Sequence, residues 1–168
     1  MQFYLKPESG AETLFSVWDE CGRLAYEVAG EFNSFGCRCV LRTPEGESAA
    51  RMTGVCLPAS LHCSASAGGR RMRISIDLSA SRRQVQVRGV GWRFRGSALT
   101  RSFDLVEERA RKPRAPQVVM THGRCWNDRG DCYALEIFHE ADVPLAVCAA
   151  VAVDSTVLGG RAAPVPAG

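Results

Sequence analysis

The sequence holds no apolar run long enough to cross a bilayer. Its most apolar stretch, Val143–Leu158, has sixteen residues with Asp154 inside it, against the ~20 a spanning helix needs, which argues against a membrane anchor. The opening MQFYLKPESGAE carries a proline, two acids and no hydrophobic segment. It lacks the form of a secretory leader, and the expected location is the cytoplasm. Cys-x-x-Cys, Gly-x-Ser-x-Gly, His-Glu-x-x-His and a Gly-rich phosphate loop before a helix are all missing. Those absences remove the common zinc, hydrolase, metalloprotease and nucleotide-binding classes. Histidine is scarce: His62, His122 and His139 are far apart, without metal-ligand spacing, and each reads as a strand-end or barrel-end residue. No catalytic residue, metal or cofactor is expected.

What is present describes one globular domain. The 168 residues, 46% hydrophobic and 23% charged, suffice for a single core and suit neither disorder nor a fibrous repeat. Eight cysteines (Cys21, Cys37, Cys39, Cys56, Cys63, Cys125, Cys132, Cys148) would frame a secreted mini-protein, but the length and the missing leader point instead to reduced, mostly buried thiols. The net charge of +3 hides an asymmetry: residues 1–69 carry five basic and eight acidic side chains, residues 70–114 thirteen and four, residues 115–168 three and six. The middle segment, nearly all arginine, either meets phosphate-bearing partners or is a solvated face.

Short alternating runs closed by turn residues recur at the spacing of sandwiches and barrels. They predict twelve strands: Gln2–Lys6, Thr13–Trp18, Arg23–Ala29, Gly36–Arg42, Ser48–Gly54, Ser60–Ala65, Arg71–Ile76, Arg83–Gly89, Gly91–Gly96, Arg101–Glu107, Gln117–His122 and Asp131–Phe138. Asp19–Gly22, Pro44–Gly46 and Asp128–Gly130 each place a glycine where a tight turn needs positive φ. Ser64–Gly69 and Glu108–Pro116 read as surface loops. Val143–Leu158 differs in kind. It is apolar all round, with Asp142 as N-cap and Pro144 in the first turn, so it reads as a helix enclosed by protein. A closed antiparallel sheet is the enclosure this chain can build. The domain should occupy residues 1–160, with a disordered tail over 161–168.

The run LFSVWDECGRLAYEVAGEFNSFG (Leu14–Gly36) resembles the opening of the LURP-one-related family, whose members have the tubby C-terminal-like fold. GVGWRFRGSALTRSFDLVE (Gly89–Glu107) resembles that family's middle signature, and PLAVCAAVAVDSTVL (Pro144–Leu158) its closing helix. The resemblance implies a closed twelve-stranded antiparallel β-barrel around a central hydrophobic helix, agreeing with the strand count. The sequence departs from the family in Cys56–Gly69, where an aromatic-rich strand is usual. An internal repeat fits two half-barrels: VAGEFNSFGCRCVL (Val28–Leu41) and FRGSALTRSFDLVE (Phe94–Glu107) both run strand, glycine, short linker, strand.

Placed on such a barrel, the helix core is Val147, Cys148 and Val151, with Cys37, Cys39 and Leu41 pointing inward towards Cys148. Cys125 and Cys132 should face each other across a hairpin. Asp154 either lies at the barrel's end, taking hydrogen bonds from backbone or an arginine, or emerges into solvent with the last helical turn. Alternation turns Met72, Ile74, Ile76, Trp92 and Phe94 inward, so Arg71, Arg73, Arg93 and Arg95 point outward. Arg82 and Arg83 join them at a turn. Tubby-like domains bind phosphoinositides through basic surface residues, so the resemblance implies an anionic phospholipid or a membrane surface as partner for these six arginines. The expected protein is a monomeric, non-enzymatic binding module, cytoplasmic or peripheral to a membrane. The alternatives are a protein-interaction scaffold or a small-ligand carrier; nucleic acid is not expected, because the basic strands offer few exposed aromatics.

Overall fold

Each of the twelve alternating runs is a strand in the computed structural model, which describes residues 1–10, 12–79, 84–108 and 115–158. The strands are β1 (Gln2–Pro7), β2 (Thr13–Asp19), β3 (Leu24–Asn33), β4 (Gly36–Arg42), β5 (Ser48–Leu57), β6 (Ser60–Ala67), β7 (Arg70–Asp77), β8 (Val85–Arg88), β9 (Trp92–Ser97), β10 (Ser102–Glu107), β11 (Val118–Asn127) and β12 (Gly130–Ile137). One antiparallel ladder joins them in the order β8-β7-β6-β5-β4-β3-β2-β1-β12-β11-β10-β9. The two ends of that ladder, β8 and β9, lie against each other and bring the sheet round into a nearly closed barrel.

Several strands run past the ends predicted from the sequence, β3 to Asn33 and β5 to Leu57 among them, and two further extensions show the physical reason. The expected loop at Ser64–Gly69 is mostly strand: β6 runs to Ala67, because Leu61, Cys63 and Ala65 keep the inward alternation, and only the Gly68-Gly69 turn is left. Likewise β11 continues five residues past His122, since Gly123 stands inside the ladder opposite Ala134 instead of ending it. The two glycines of the internal repeat behave alike. Gly30 (φ +131) and Gly96 (φ +119) each press against the partner strand, where an added Cβ would come within 2.1 Å of the Arg38 carbonyl oxygen or 2.6 Å of the Ser102 one. Only glycine tolerates that approach.

The helix α1 (Val143–Leu158) runs through the barrel and packs against β5, β6, β7 and β11. From Val143 to Val153 every residue except the half-buried Pro144 is buried, as are Asp154 and Ser155. The three residues expected at its core, Val147, Cys148 and Val151, are among them. Asp142, expected to cap the helix, lies in a short 3-10 turn (Glu140–Asp142), where its Oδ1 accepts a 2.6 Å hydrogen bond from Arg70 Nη1. The Arg70 guanidinium also lies 5.4 Å over the Trp92 ring, so one side chain ties β7, β9 and the start of α1 together. Arg70→Ala should lower the unfolding midpoint by the equivalent of about 1–2 kcal/mol in a urea titration, since the pair is partly buried. Residues 159–168 and 109–114, including the tail and most of the Glu108–Pro116 segment, lie outside the described residues.

Candidate functional site

The outer face of β4–β8 gathers arginines in register. Arg38 on β4 stands opposite Thr53 on β5, Thr53 opposite Ser64 on β6, Ser64 opposite Arg73 on β7, and Arg73 opposite Arg88 on β8. The next row runs from Arg51 through Ser66 to Arg71. Cross-strand neighbours on one face have Cβ atoms about 5 Å apart, so the five guanidinium groups overlook small polar residues and leave their donors open to an anion. All five arginines are exposed. Among the described residues, Arg38, Arg51, Arg71 and Arg73 make no ion pair, and Arg88 donates to Gln86 Oε1 at 3.3 Å. Glu31, opposite Arg38, is the acidic neighbour at the end of the first row.

Six arginines were expected to carry this surface: Arg71, Arg73, Arg82, Arg83, Arg93 and Arg95. Arg71 and Arg73 share β7, as expected. Arg93 and Arg95 are also exposed and lie on β9, the other edge strand of the ladder, which closes against β8 across the seam. Arg95 Nη2 there binds Asp104 Oδ2 of β10 at 2.8 Å. Arg82 and Arg83 lie outside the described residues. Arg38, Arg51 and Arg88 were missed because they come from three different strands and only the ladder register aligns them.

A second polar feature is buried inside the barrel. His122 and Asp154 have fully buried side chains, with Nε2 and Oδ2 2.9 Å apart. His122 Nδ1 donates to the Arg101 carbonyl at 2.9 Å, because a carbonyl can only accept. The Nε2–Oδ2 contact therefore shares one proton, and the pair is neutral wherever that proton sits. His122 is the third ring in a stack of four from adjacent strands, Phe94, Phe103, His122 and Tyr133, with centroid steps of 4.7, 4.2 and 5.1 Å. The partner of Asp154 is thus a histidine in mid-strand, instead of the backbone, arginine or solvent expected. Burial raises the Asp154 carboxyl above the ordinary carboxylate range, against the opposing pull of His122 and Arg101.

That direction has a measurable consequence. A carboxyl with a higher pKa folded than unfolded contributes stability that is complete below its unfolded value and is lost as pH rises through the folded one. Asp154→Asn keeps the shape and removes the titration. Urea midpoints measured from about pH 4 to pH 7 should therefore move in favour of the variant as pH rises; a difference that does not change with pH would contradict the shift.

The thiols form a third group. Cys37 and Cys63 approach to 3.6 Å between sulfurs although β5 runs between their strands. Gly54 makes room: a Cβ there would meet Cys63 Sγ at 2.7 Å and Cys37 Sγ at 3.0 Å. Burial, with Cys39 and Cys37 nearby, pushes the Cys148 thiol up to about 12, so this inward cluster is unreactive packing. Cys125 and Cys132 do face each other across the β11–β12 ladder. Among the described residues no group of histidine, cysteine or acidic side chains is placed to hold a metal ion, and no helix is long and apolar enough to cross a membrane.

Comparison with known proteins places this architecture. The sequence model of the LURP-one-related family matches residues 1–154. The chain belongs to the LURP-one-related family. The family match ends at Asp154, so it includes both members of the buried His122–Asp154 pair. A crystal structure of an Arabidopsis thaliana protein superposes with a TM-score of 0.58 over 91% of this chain and 90% of that one, at 15% sequence identity. The likeness at that identity is one of fold, the tubby-like barrel with its C-terminal helix. No curated protein matches the chain in sequence.

Proposed function

We propose that this LURP-one-related domain is a non-enzymatic binding module that engages anionic phospholipid headgroups, phosphatidylserine or phosphoinositide, through its arginine-bearing outer face. The carrying observation is the row Arg38–Thr53–Ser64–Arg73–Arg88, with Arg51 and Arg71 beside it. Guanidinium groups bind phosphate oxygens with two parallel N–H donors, and small hydroxyl residues between them let a headgroup approach. Arg93 and Arg95 extend the basic surface beyond the seam with a smaller share, since Asp104 already neutralises Arg95. The void in the lumen beside Cys39, Val147 and Cys148 does not favour a small-ligand carrier: it measures about 10 Å³, room for one water at most, against the ~300 Å³ or more of small-molecule sites.

The test is vesicle sedimentation. Each arginine near an anionic surface contributes roughly 1 kcal/mol, so Arg71→Gln/Arg73→Gln/Arg88→Gln should weaken binding to phosphatidylserine vesicles about a hundredfold. Arg93→Gln/Arg95→Gln should cost less than about tenfold. Unchanged binding of the triple variant, with the wild type bound, would move the site off this face. A wild type that binds no anionic vesicle at ~0.1 M salt would overturn the lipid reading and leave a protein partner for the same charge.

A further inference from the structure

The same outer face ends in an apolar tip. Phe35, in the β3–β4 turn, is 83% exposed, and Val55 and Leu57, on the outward side of β5, are 57% and 50% exposed. They are neighbours: Gly36 pairs with Val55, and the Cys56 backbone N–H donates to the Phe35 carbonyl at 2.8 Å. Pro58 and Ala59, which turn β5 into β6, are exposed beside them. Large apolar side chains left in water at a hairpin tip cost free energy unless something covers them.

Charge complementarity identifies the covering phase. Val55 follows Thr53 by two residues on the outward side of β5, and Thr53 belongs to the arginine row. At 3.3 Å per residue the tip leads that row by about 7 Å. Residues that anchor proteins in the membrane interface sit about 5–10 Å into the boundary between headgroups and acyl chains. With Phe35, Val55 and Leu57 at that depth, Arg38, Arg73 and Arg88 stand at the phosphates. An aqueous protein partner would need a complementary surface both anionic and apolar at the same spacing; an anionic bilayer offers that layering everywhere.

We infer that Phe35, Val55 and Leu57 form an insertion tip that enters the interface of an anionic membrane while the arginine row behind it holds the headgroups. This rests on the lipid reading above and adds a site, an orientation and a mode of attachment to it.

The experiment compares the wild type with Phe35→Ser/Val55→Thr/Leu57→Ser on vesicles of phosphatidylcholine alone and with phosphatidylserine. The polar variant, whose substitutions are all on the surface, should keep the wild-type melting temperature. It should bind the anionic vesicles about tenfold or more weakly, with the same dependence on salt, because its charges are intact. In a separate arm, Phe35→Trp should show fluorescence quenched by lipids labelled in the upper acyl chain, beyond the quenching seen for Trp18, Trp92 and Trp126 in the unsubstituted protein. If the polar variant binds as tightly as the wild type, or the new tryptophan is not quenched, the tip does not insert while headgroup binding by the arginines stands. A wild type that binds neither vesicle removes both readings together. Wild type that dimerises without lipid, and a variant that does not, would make the tip a self-association surface and overturn the inference.

Discussion

Val147→Asp is expected to yield no soluble protein. Val147 lies in the second turn of α1 with no solvent exposure, and Ala146, Ala150 and Val151 around it are enclosed as well. Among the described residues, the void beside Val147 is lined by apolar side chains and thiols, Val28, Cys39, Leu41, Met52 and Cys148, with no cation to pair a carboxylate. Its uncompensated burial costs several kcal/mol, a large part of the ~5–15 kcal/mol that holds a domain together. Val151→Asp should behave in the same way. Val157→Asp, near the end of the helix where the side chain is only half-buried, should remain soluble. The contrast is read from the soluble fraction on expression, and a folded Val147→Asp protein with native circular dichroism would mean that α1 is not the core of the barrel.

The second large effect is expected at His122. His122→Ala removes the middle of the stack between Phe103 and Tyr133 and strands the Asp154 carboxyl, whose Oδ1 already lacks a hydrogen-bond partner among the described residues. Breaking a buried pair from one side costs about 3–5 kcal/mol, a fall in melting temperature of roughly 10 °C or more for a chain of this size. Asp154→Asn should cost far less, because an amide can still donate to Nε2. Calorimetry distinguishes the two. Equal losses for both variants would show that packing of the helix end, and not the polar contact, carries the energy.

Much of this fold was readable in the residue pattern because a barrel wall writes itself as alternation. Met72, Ile74 and Ile76 face the lumen while Arg71 and Arg73 face out, and the helix declares itself by lacking a polar side. Glycine was the main source of error. Gly54 was read as a strand end and the strand before Gly123 was stopped at His122, whereas Gly54 makes space for two thiols and Gly123 continues a ladder. Burial of His122 was hidden for the same reason, since it was assigned to a strand terminus. The arginine surface was only half legible: alternation gives the side of the sheet on which Arg38, Arg51 and Arg88 lie, but their alignment with Arg71 and Arg73 depends on the register of five strands, which no single run of residues encodes. Arg93 and Arg95 share no ladder pairing with β7; they reach its side of the molecule only through the contact of β9 with β8 across the seam, which no alternation pattern shows.

The measurement that bears most directly on the lipid-binding account is co-sedimentation of the unaltered protein with phosphatidylcholine vesicles, with and without phosphatidylserine or phosphoinositide, as salt is raised from ~0.05 to ~0.5 M. The account predicts binding that requires the anionic lipid and weakens steeply as added salt shortens the Debye length from its ~10 Å at 0.1 M. Binding that is equal on neutral and anionic vesicles, or absent on both at the lowest salt, would contradict it.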